Sequence, residues 1–329
     1  MNFSNSYHII IFAALILGFS TFISAQNTNN KLKALIVDGE NNHGIWPKST
    51  MMMKSYLEET GMFEVDIIRK KYTWKGEEYL DMYPLSSAQK TEVVKEPKFD
   101  PDFCPKFKKY DVVVSNLGWK SSDWPEKTKR NFENYMRKGG GLIIVHAADN
   151  AWGDWTEFNK MIGLGGWGGR GTHSGPYVYY DNDDNLKYDT SEGKSGSHGP
   201  QREFLLETRA PNHPIMKGLP NLWLHAKDEL YENLRGPAEN LTILSTAYSK
   251  KDKSEGGKHE PVLFTIDYGK GRVFHTTLGH TDYSIECVGF ITTFLRGAEW
   301  AATGKVTQAV PDDFPNAASS SSRPWSEKK

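Results

Sequence analysis

The sequence predicts an α/β protein with a doubly wound, mostly parallel sheet flanked by helices, and with long loop insertions. Short apolar runs rich in branched residues alternate with amphipathic helical segments between residues 31 and 146, as in such sheets. The predicted strands also end in Gly- or Asn-containing turns. With 329 residues, of which 38% are apolar, the chain is long enough to bury a large core.

The first predicted unit is a strand, a helix and a second strand. Residues 31–38 (KLKALIVD) form an apolar run that enters a Gly/Asn-rich turn over residues 39–44. Residues 49–60 carry Met and Leu at helical spacing and stop at Gly61, and residues 63–68 alternate as a strand. This order predicts a parallel pair joined by a right-handed crossover.

The second predicted unit repeats this order. Residues 110–116 (YDVVVSN) form the third strand, and Pro125 begins a helix that stops at residues 139–141 (GGG). Residues 142–146 (LIIVH) form the fourth strand. Two such units side by side predict a doubly wound sheet.

The remaining segments are less regular. We interpret residues 69–109 as a surface insertion, and residues 147–200 as long loops around one short helix at 155–162. The later elements are strands at 203–208, 241–247, 261–266 and 272–278, and a closing helix at 281–302.

The two ends of the chain are expected to lie outside the α/β domain. Residues 9–18 are apolar but too short to span a bilayer, and Ala25 offers a small residue for cleavage. We therefore expect a signal peptide over residues 1–25, a secreted or periplasmic protein, and no stable membrane anchor. The α/β domain then covers residues 26–310, and the Pro/Ser-rich residues 311–329 form a flexible tail.

Charge and cysteine content exclude several classes of protein. The 40 Lys and Arg nearly balance the 41 Asp and Glu, so no basic surface for nucleic acid is expected. Two cysteines, Cys104 and Cys287, rule out a disulfide framework or a Cys-based metal cluster, although one bridge between them stays open. The sequence does not set the oligomeric state.

Polar residues at the strand exits are the candidate site, because ligands bind at the carboxyl ends of the strands in a doubly wound sheet. Three histidines, His43, His146 and His280, occupy such positions, and we expect them to converge. A neutral imidazole can act as a base or ligate a metal, so with nearby carboxylates they could hold a divalent ion such as zinc. The alternative is that each histidine only bonds a backbone group, and no HxH, HExxH or CxxC spacing supports a metal.

Other side chains are predicted to bind the substrate. Tryptophans near the crevice suit the apolar face of a sugar ring, whereas neighbouring carboxylates and amides suit its hydroxyl groups. His173, in a Gly-rich loop, either folds over the crevice or stays outside it. His275 lies within a strand and is expected in the core. The predicted substrate-binding residues are Asn42, Trp46, Trp119, Asp149, His173 and Asp228.

Nucleophilic and nucleotide chemistry are disfavoured. The turn after the fourth strand carries His146, Ala147 and Ala148, with no thiol or hydroxyl. Residues 163–166 (GLGG) lack the Lys-Ser/Thr ending of a phosphate loop. We therefore expect neither a covalent intermediate nor a nucleotide cofactor.

Several short motifs, in one order along the chain, support a family assignment. They are residues 33–38 followed by His43, residues 138–146 (KGGGLIIVH), residues 161–163 (MIG) with His173 downstream, residues 212–215 (NHPI), residues 228–231 (DELY), residues 269–273 (GKGRV) with 278–280 (LGH), and residues 297–300 (GAEW). Together they resemble the trehalose-utilisation (ThuA-like) family over residues 32–306. The insert at 69–109, the enlarged loop at 176–200 and His275 depart from the family pattern.

The resemblance implies a class I glutamine-amidotransferase-like fold without its cysteine, and a role in carbohydrate metabolism. It places the site at His43, His146, Glu229 and His280. We expect an exported enzyme that acts on a sugar or 3-keto-glycoside by elimination, hydrolysis or isomerisation, with His146 or Glu229 as acid/base. The alternatives are a non-catalytic carbohydrate-binding or accessory protein, and a metal-dependent hydrolase of another small molecule.

Overall fold

Strands and helices alternate through the part of the chain that the computed structural model describes, namely Met1 and residues 31–85, 89–251 and 256–327. The expected signal peptide, residues 1–25, lies outside these ranges except for Met1. The strands are β1 (Leu32–Glu40), β2 (Phe63–Trp74), β3 (Glu92–Val94), β4 (Val112–Ser115), β5 (Gly141–Val145), β6 (Tyr177–Tyr180), β7 (Leu186–Asp189), β8 (Ser197–His198), β9 (Arg202–Thr208), β10 (Leu222–Asp228), β11 (Tyr231–Glu232), β12 (Leu241–Tyr248), β13 (His259–Tyr268) and β14 (Gly271–Thr276). The α-helices are α1 (Trp46–Glu59), α2 (Glu77–Leu80), α3 (Glu126–Arg137), α4 (Thr156–Ile162), α5 (Asp282–Ile285) and α6 (Val288–Thr303).

Twelve of these strands form one mixed sheet, in the order β10-β9-β12-β13-β14-β5-β4-β1-β2-β3, with β6 and β7 attached to β13. From β14 to β3 every neighbouring pair is parallel, whereas from β10 to β14 every pair is antiparallel. The carboxyl ends of β1, β4, β5 and β14 therefore meet at one edge of the sheet. Four antiparallel pairings connect β10 to β14 through β9, β12 and β13, so β10 points in the same direction as β14. The carboxyl end of β10 therefore lies at that edge as well.

The parallel part is buried on both faces, as its uninterrupted apolar runs predict. Along β1, Ala34 and Ile36 pack with α1 and α6, whereas Leu35 and Val37 pack with α3 and α4. Helices on both faces confirm the predicted doubly wound α/β architecture.

Several elements differ from the prediction, and residues 147–200, which were interpreted as loops around one helix, also contain β6, β7 and β8. The segment interpreted as an insertion begins as a continuation of β2, which runs to Trp74 before α2 and β3. The single closing helix is two helices, because Cys287 adopts an extended conformation (φ −58°, ψ 127°) between α5 and α6. The strand β10 was not predicted. Four of its seven residues are buried and they lie on both faces of the strand, so apolar and polar residues do not alternate regularly along it.

The segment expected to be a flexible tail lies against the domain over its described part, residues 311–327. Phe314 packs on Trp223, with ring centroids 5.3 Å apart. The backbone N–H of Val288 donates to the Ser321 carbonyl at 2.8 Å, which ties the start of α6 to this segment. Apolar residues spaced among the prolines and serines explain the difference from the composition-based prediction.

Both cysteines are free thiols, Cys104 exposed and Cys287 buried, so the bridge left open by the sequence does not form. Within the described ranges, no helix combines the length and the apolar character needed to cross a bilayer.

Candidate functional site

Three strand exits bring three imidazoles together at the carboxyl edge of the sheet. His43 follows β1, His146 follows β5 and His280 follows β14. Their ring centroids lie 5.0 Å (His43 to His146), 4.4 Å (His43 to His280) and 5.4 Å (His146 to His280) apart. One ligating atom from each ring lies within 4.8 Å of the other two. The predicted convergence is therefore found, and we call these residues the histidine cluster.

The turn that carries His146 is strained. His146 has φ +46°, a left-handed conformation that costs free energy for a residue with a Cβ. It begins a 3-10 turn, His146–Asn150, directly after β5. Such strain is typical of functional sites, and here it points the imidazole out of the sheet edge into the cluster.

Hydrogen bonding fixes the tautomer of His146. Its Nδ1 lies 2.7 Å from the Thr277 carbonyl oxygen, which can only accept, so Nδ1 carries the proton. Burial lowers the pKa of His146, although the nearby Asp228 carboxylate acts in the opposite direction. The ring is therefore neutral, and its Nε2 lone pair accepts a 2.9 Å hydrogen bond from the Tyr231 hydroxyl.

His43 is held by its own loop. Its backbone N–H donates to the Asn41 side-chain oxygen at 2.9 Å, and the Asn41 amide group donates to the Leu117 carbonyl at 3.1 Å. Burial, and then the imidazoles of His146 and His280, lower the pKa of His43 to about 2. The cluster is therefore rich in neutral imidazole, the form that binds metals and accepts protons.

The Asp228 carboxylate fixes the backbone that carries Glu229 and His280. It is fully buried, and its carboxylate accepts backbone N–H groups from Glu229 (2.8 Å), Gly279 (2.8 Å) and His280 (3.1 Å). His225 Nε2 lies 2.9 Å from the same carboxylate. Burial alone would raise the pKa of Asp228, but the His225 contact and these donors hold it below its ordinary value. One carboxylate thus ties the end of β10 to the loop that presents His280.

Glu229 is the carboxylate at the cluster. Its Oε2 lies 2.8 Å from His280 Nδ1 and 3.9 Å from His146 Nε2. On the outer side, Gln201 Nε2 donates to Oε1 at 3.4 Å, and His198 Nδ1 lies 3.8 Å away. Burial opposes ionisation, yet contacts with the imidazoles lower the pKa of Glu229, so it is ionised at neutral pH.

An open groove of about 610 Å³ leads to the cluster. Its walls include Asn42, His43, Lys75, Tyr79, His280 and Tyr283. A second space of about 10 Å³, between His43, His146 and His280, has room for about one water molecule or ion. The groove is large enough for a small organic ligand, and His43 and His280 of the cluster lie in its lining.

The segment after β2 builds one wall of the groove. Lys75 (φ +55°) and Gly76 (φ +88°) form a tight turn against Trp46. The Trp46 indole N–H donates to the carbonyls of Trp74 (3.2 Å) and Lys75 (2.9 Å). A Cβ at Gly76 would lie 2.6 Å from the indole nitrogen, so only glycine fits there. The segment interpreted as a surface insertion is therefore part of the candidate site.

The predicted substrate-binding residues fall into three groups. Asn42 lines the groove, and its side-chain oxygen accepts the backbone N–H of the partly exposed Trp119 at 2.9 Å. Trp46, Asp149 and Asp228 are fully buried, so they support the site without facing a ligand. The remaining residue, His173, is exposed on the 3-10 turn Thr172–Ser174 and does not line the groove.

The buried Asp149 faces His275 instead of the groove. His275 Nδ1 lies 2.9 Å from the Ile162 carbonyl oxygen, and its Nε2 lies 3.4 Å from Asp149 Oδ2. Both residues are fully buried, as expected for His275 from its position in a strand. The pair joins β14 to the turn that carries His146.

Several residues of the site were not predicted. Tyr231, which contacts His146, appears in the sequence only as the last letter of the DELY motif. Lys75 lines the groove directly after the extended β2, and Tyr79 and Tyr283 line it from the short helices α2 and α5. The only indication in the sequence was that these polar or aromatic residues lie close to Gly76 or His280. This indication is weak, because such neighbours are common in surface loops.

Comparison with known proteins agrees with these observations. The model of the family described as trehalose utilisation (ThuA) matches residues 33–301. The structure is similar to that of a ThuA-like protein from Parabacteroides merdae, with 43% identity, a TM-score of 0.78, and coverage of 89% of this chain and 98% of that one. A ThuA-like protein from Bacteroides uniformis, 18% identical with a TM-score of 0.50 and coverage of 84% and 93%, shares the fold. No curated protein matches the chain.

Proposed function

Because this chain belongs to the trehalose-utilisation (ThuA) family, we propose that it is a carbohydrate-processing enzyme acting on a sugar or 3-keto-glycoside. The observation that carries the proposal is the meeting of three imidazoles and the Glu229 carboxylate at the end of an open groove. Such a set supplies bases near neutral pH and donors for a substrate oxygen.

The donor set fits a divalent cation. Nitrogen ligands of a tetrahedral zinc ion lie roughly 3.4 Å apart, and the donors here lie within 4.8 Å of one another. The low pKa of His43 favours its neutral, ligating form, and Glu229 adds a negative charge nearby. His43, His146 and His280 would hold the ion, which when bound polarises a substrate oxygen.

The proposed chemistry needs no covalent nucleophile. In a 3-keto-glycoside, one carbon atom lies between the carbonyl carbon and the carbon of the glycosidic bond. The carbonyl group acidifies the C–H bond of this intervening carbon. Glu229 removes this proton when the imidazoles are engaged as ligands, and His146 Nε2 removes it otherwise. The electron pair of the C–H bond forms an enolate, the glycosidic C–O bond then breaks, and the departing oxygen takes the proton back from the base.

Turnover of 3-keto-glycosides by the purified protein tests the proposal. We expect product to form with the wild type, to decrease after treatment with a chelator, and to be lost in His146→Asn, since asparagine tolerates the positive φ but lacks the imidazole. Absence of turnover by the wild type, metal-loaded and metal-free, would contradict the proposed activity. Metal analysis of the purified protein tests the cation separately.

The alternative is a non-catalytic carbohydrate-binding or accessory protein, for which tryptophan rings facing the groove would be the expected stacking surface. Trp124, Trp152 and Trp155 pack on one another with ring centroids 4.9 to 5.8 Å apart, and Trp46 is buried. These four indoles stabilise the loops, whereas Trp119, which is 39% exposed and whose backbone N–H donates to the groove residue Asn42, lies beside the groove. Calorimetry with intact disaccharides separates the two, because tight binding without product supports only the alternative.

The proposal includes export, based on residues 1–25. We expect the mature protein to begin at Gln26. Mass spectrometry of the protein from its native host measures this directly, and an intact Met1 would contradict it.

A further inference from the structure

The Tyr231 hydroxyl lies where a ligand of His146 would bind. Because Nδ1 of His146 donates to the Thr277 carbonyl, Nε2 is the only free lone pair of this ring. The Tyr231 hydroxyl donates to that lone pair at 2.9 Å, and the two rings pack with centroids 4.4 Å apart. A metal ion, or a proton taken from a substrate, requires the same lone pair.

Packing holds the Tyr231 hydroxyl in place against His146. Its side chain is 2% exposed and packs against Trp167, with ring centroids 4.9 Å apart. Its hydroxyl has one proton, which it donates to the Nε2 lone pair, so a ligand of that nitrogen must displace this hydrogen bond.

We propose that Tyr231 is a positioning residue that covers the His146 Nε2 lone pair until a ligand takes that lone pair. Tyr231 thereby weakens binding of ions or protons to an empty site. This inference rests on the proposed function for the identity of the ligand, but the covering of Nε2 is independent of it.

Metal titration of the full-length protein tests the proposal, with Co²⁺ as the probe and its absorption as the signal. Removal of a competing hydrogen bond should tighten Co²⁺ binding by about two- to tenfold in Tyr231→Phe. Tyr135→Phe is the matched control, because it removes a buried hydroxyl that donates to the Gly141 carbonyl at 2.9 Å, away from the cluster. Equal or weaker binding by Tyr231→Phe than by the wild type would overturn the proposal.

Nitrogen-15 NMR of the histidine rings distinguishes failure of the inference from failure of the proposed function. We expect the Nε2 resonance of His146 to move toward that of a free acceptor in Tyr231→Phe and to stay in place in Tyr135→Phe. If no variant binds Co²⁺ but this resonance moves, the metal part of the proposed function fails and the covering role stands. A resonance that does not move, or a proton on Nε2 in the wild type, refutes the covering role.

Discussion

Two buried histidines, His146 and His275, make the same hydrogen bond through Nδ1 and differ in the group that faces Nε2. Each ring places Nδ1 against a backbone carbonyl, at 2.7 Å from Thr277 and 2.9 Å from Ile162 respectively. Nε2 of His146 faces a tyrosine hydroxyl and the cluster, whereas Nε2 of His275 faces the Asp149 carboxylate at 3.4 Å. The same local chemistry thus prepares a ligand in one place and a buried polar pair in the other.

The difference follows from their positions in the sheet. His275 lies within β14, paired in register with Ile144, and the apolar residues on the α3 and α4 side of the sheet, which include Ile144 and Phe264, enclose it. His146 lies two residues beyond Ile144, past the end of β5, where the sheet stops. On two neighbouring strands, a difference of two positions in register therefore separates a structural histidine from one available for chemistry.

Removal of His146 is expected to have the largest effect. His146→Asn should lower kcat/KM for a 3-keto-glycoside by about 10²- to 10⁴-fold, because it removes a base or ligand from the cluster. The circular dichroism spectrum should stay that of the wild type, since asparagine accepts the left-handed conformation. An activity within threefold of the wild type would place the chemistry elsewhere.

Removal of His275 should instead lower stability. His275→Leu leaves the Asp149 carboxylate buried without a partner, and we expect the free energy of unfolding in urea to fall by about 3–5 kcal/mol. Combining it with Asp149→Asn should recover part of this loss, because a neutral amide is less costly to bury. A loss below about 1 kcal/mol would show that the pair is not holding β14 to the His146 turn.

Acid should affect the cluster through His43. The unfolded chain binds a proton near pH 6.5, whereas folded His43 has a pKa of about 2. The unfolded state therefore binds more protons between these values, and stability is lost as the pH falls below 6.5. At pH 5.5 this cost is about 1.4 kcal/mol for one group. His43→Gln should lose about 1 kcal/mol less than the wild type between pH 7.5 and 5.5, and urea unfolding at both values measures this.

His198 marks the outer limit of the cluster and should have the smallest effect. Its Nδ1 lies 3.8 Å from Glu229 Oε1, and its side chain is 41% exposed. Contacts this weak and this accessible contribute little. We expect His198→Asn to change kcat/KM by less than about threefold. A larger change would extend the functional group of histidines beyond His43, His146 and His280.

The histidine cluster could be predicted from the sequence because topology alone determines it. Strand exits in a parallel sheet meet at one edge, so His43 and His146 are neighbours whatever their side chains do. Trp46 also follows a strand exit, but its large apolar ring is more stable in the core. The sequence does not indicate this, because the Gly76 turn that receives the ring lies thirty positions away.

The sequence offers Glu229 as one of three carboxylates that could lie near the histidines, and the family resemblance singles it out as a site residue. Its strand, β10, is buried on both faces, and four antiparallel pairings carry it back to the carboxyl edge. Such reversals leave no periodic signal in the sequence. Asp228 has the same origin, and its role in ordering Gly279 and His280 depends on backbone groups about fifty residues away, which no local pattern describes.

The packing of residues 311–327 also decides how short the polypeptide can be made. Phe314 shields Trp223, and Ser321 satisfies the first backbone donor of α6. A fragment that stopped at residue 310 would leave an indole and a helix start open to water, which favours aggregation. Samples for crystallisation or isotope labelling should therefore retain the chain through Trp325, whose backbone N–H donates to Glu286 at 2.9 Å.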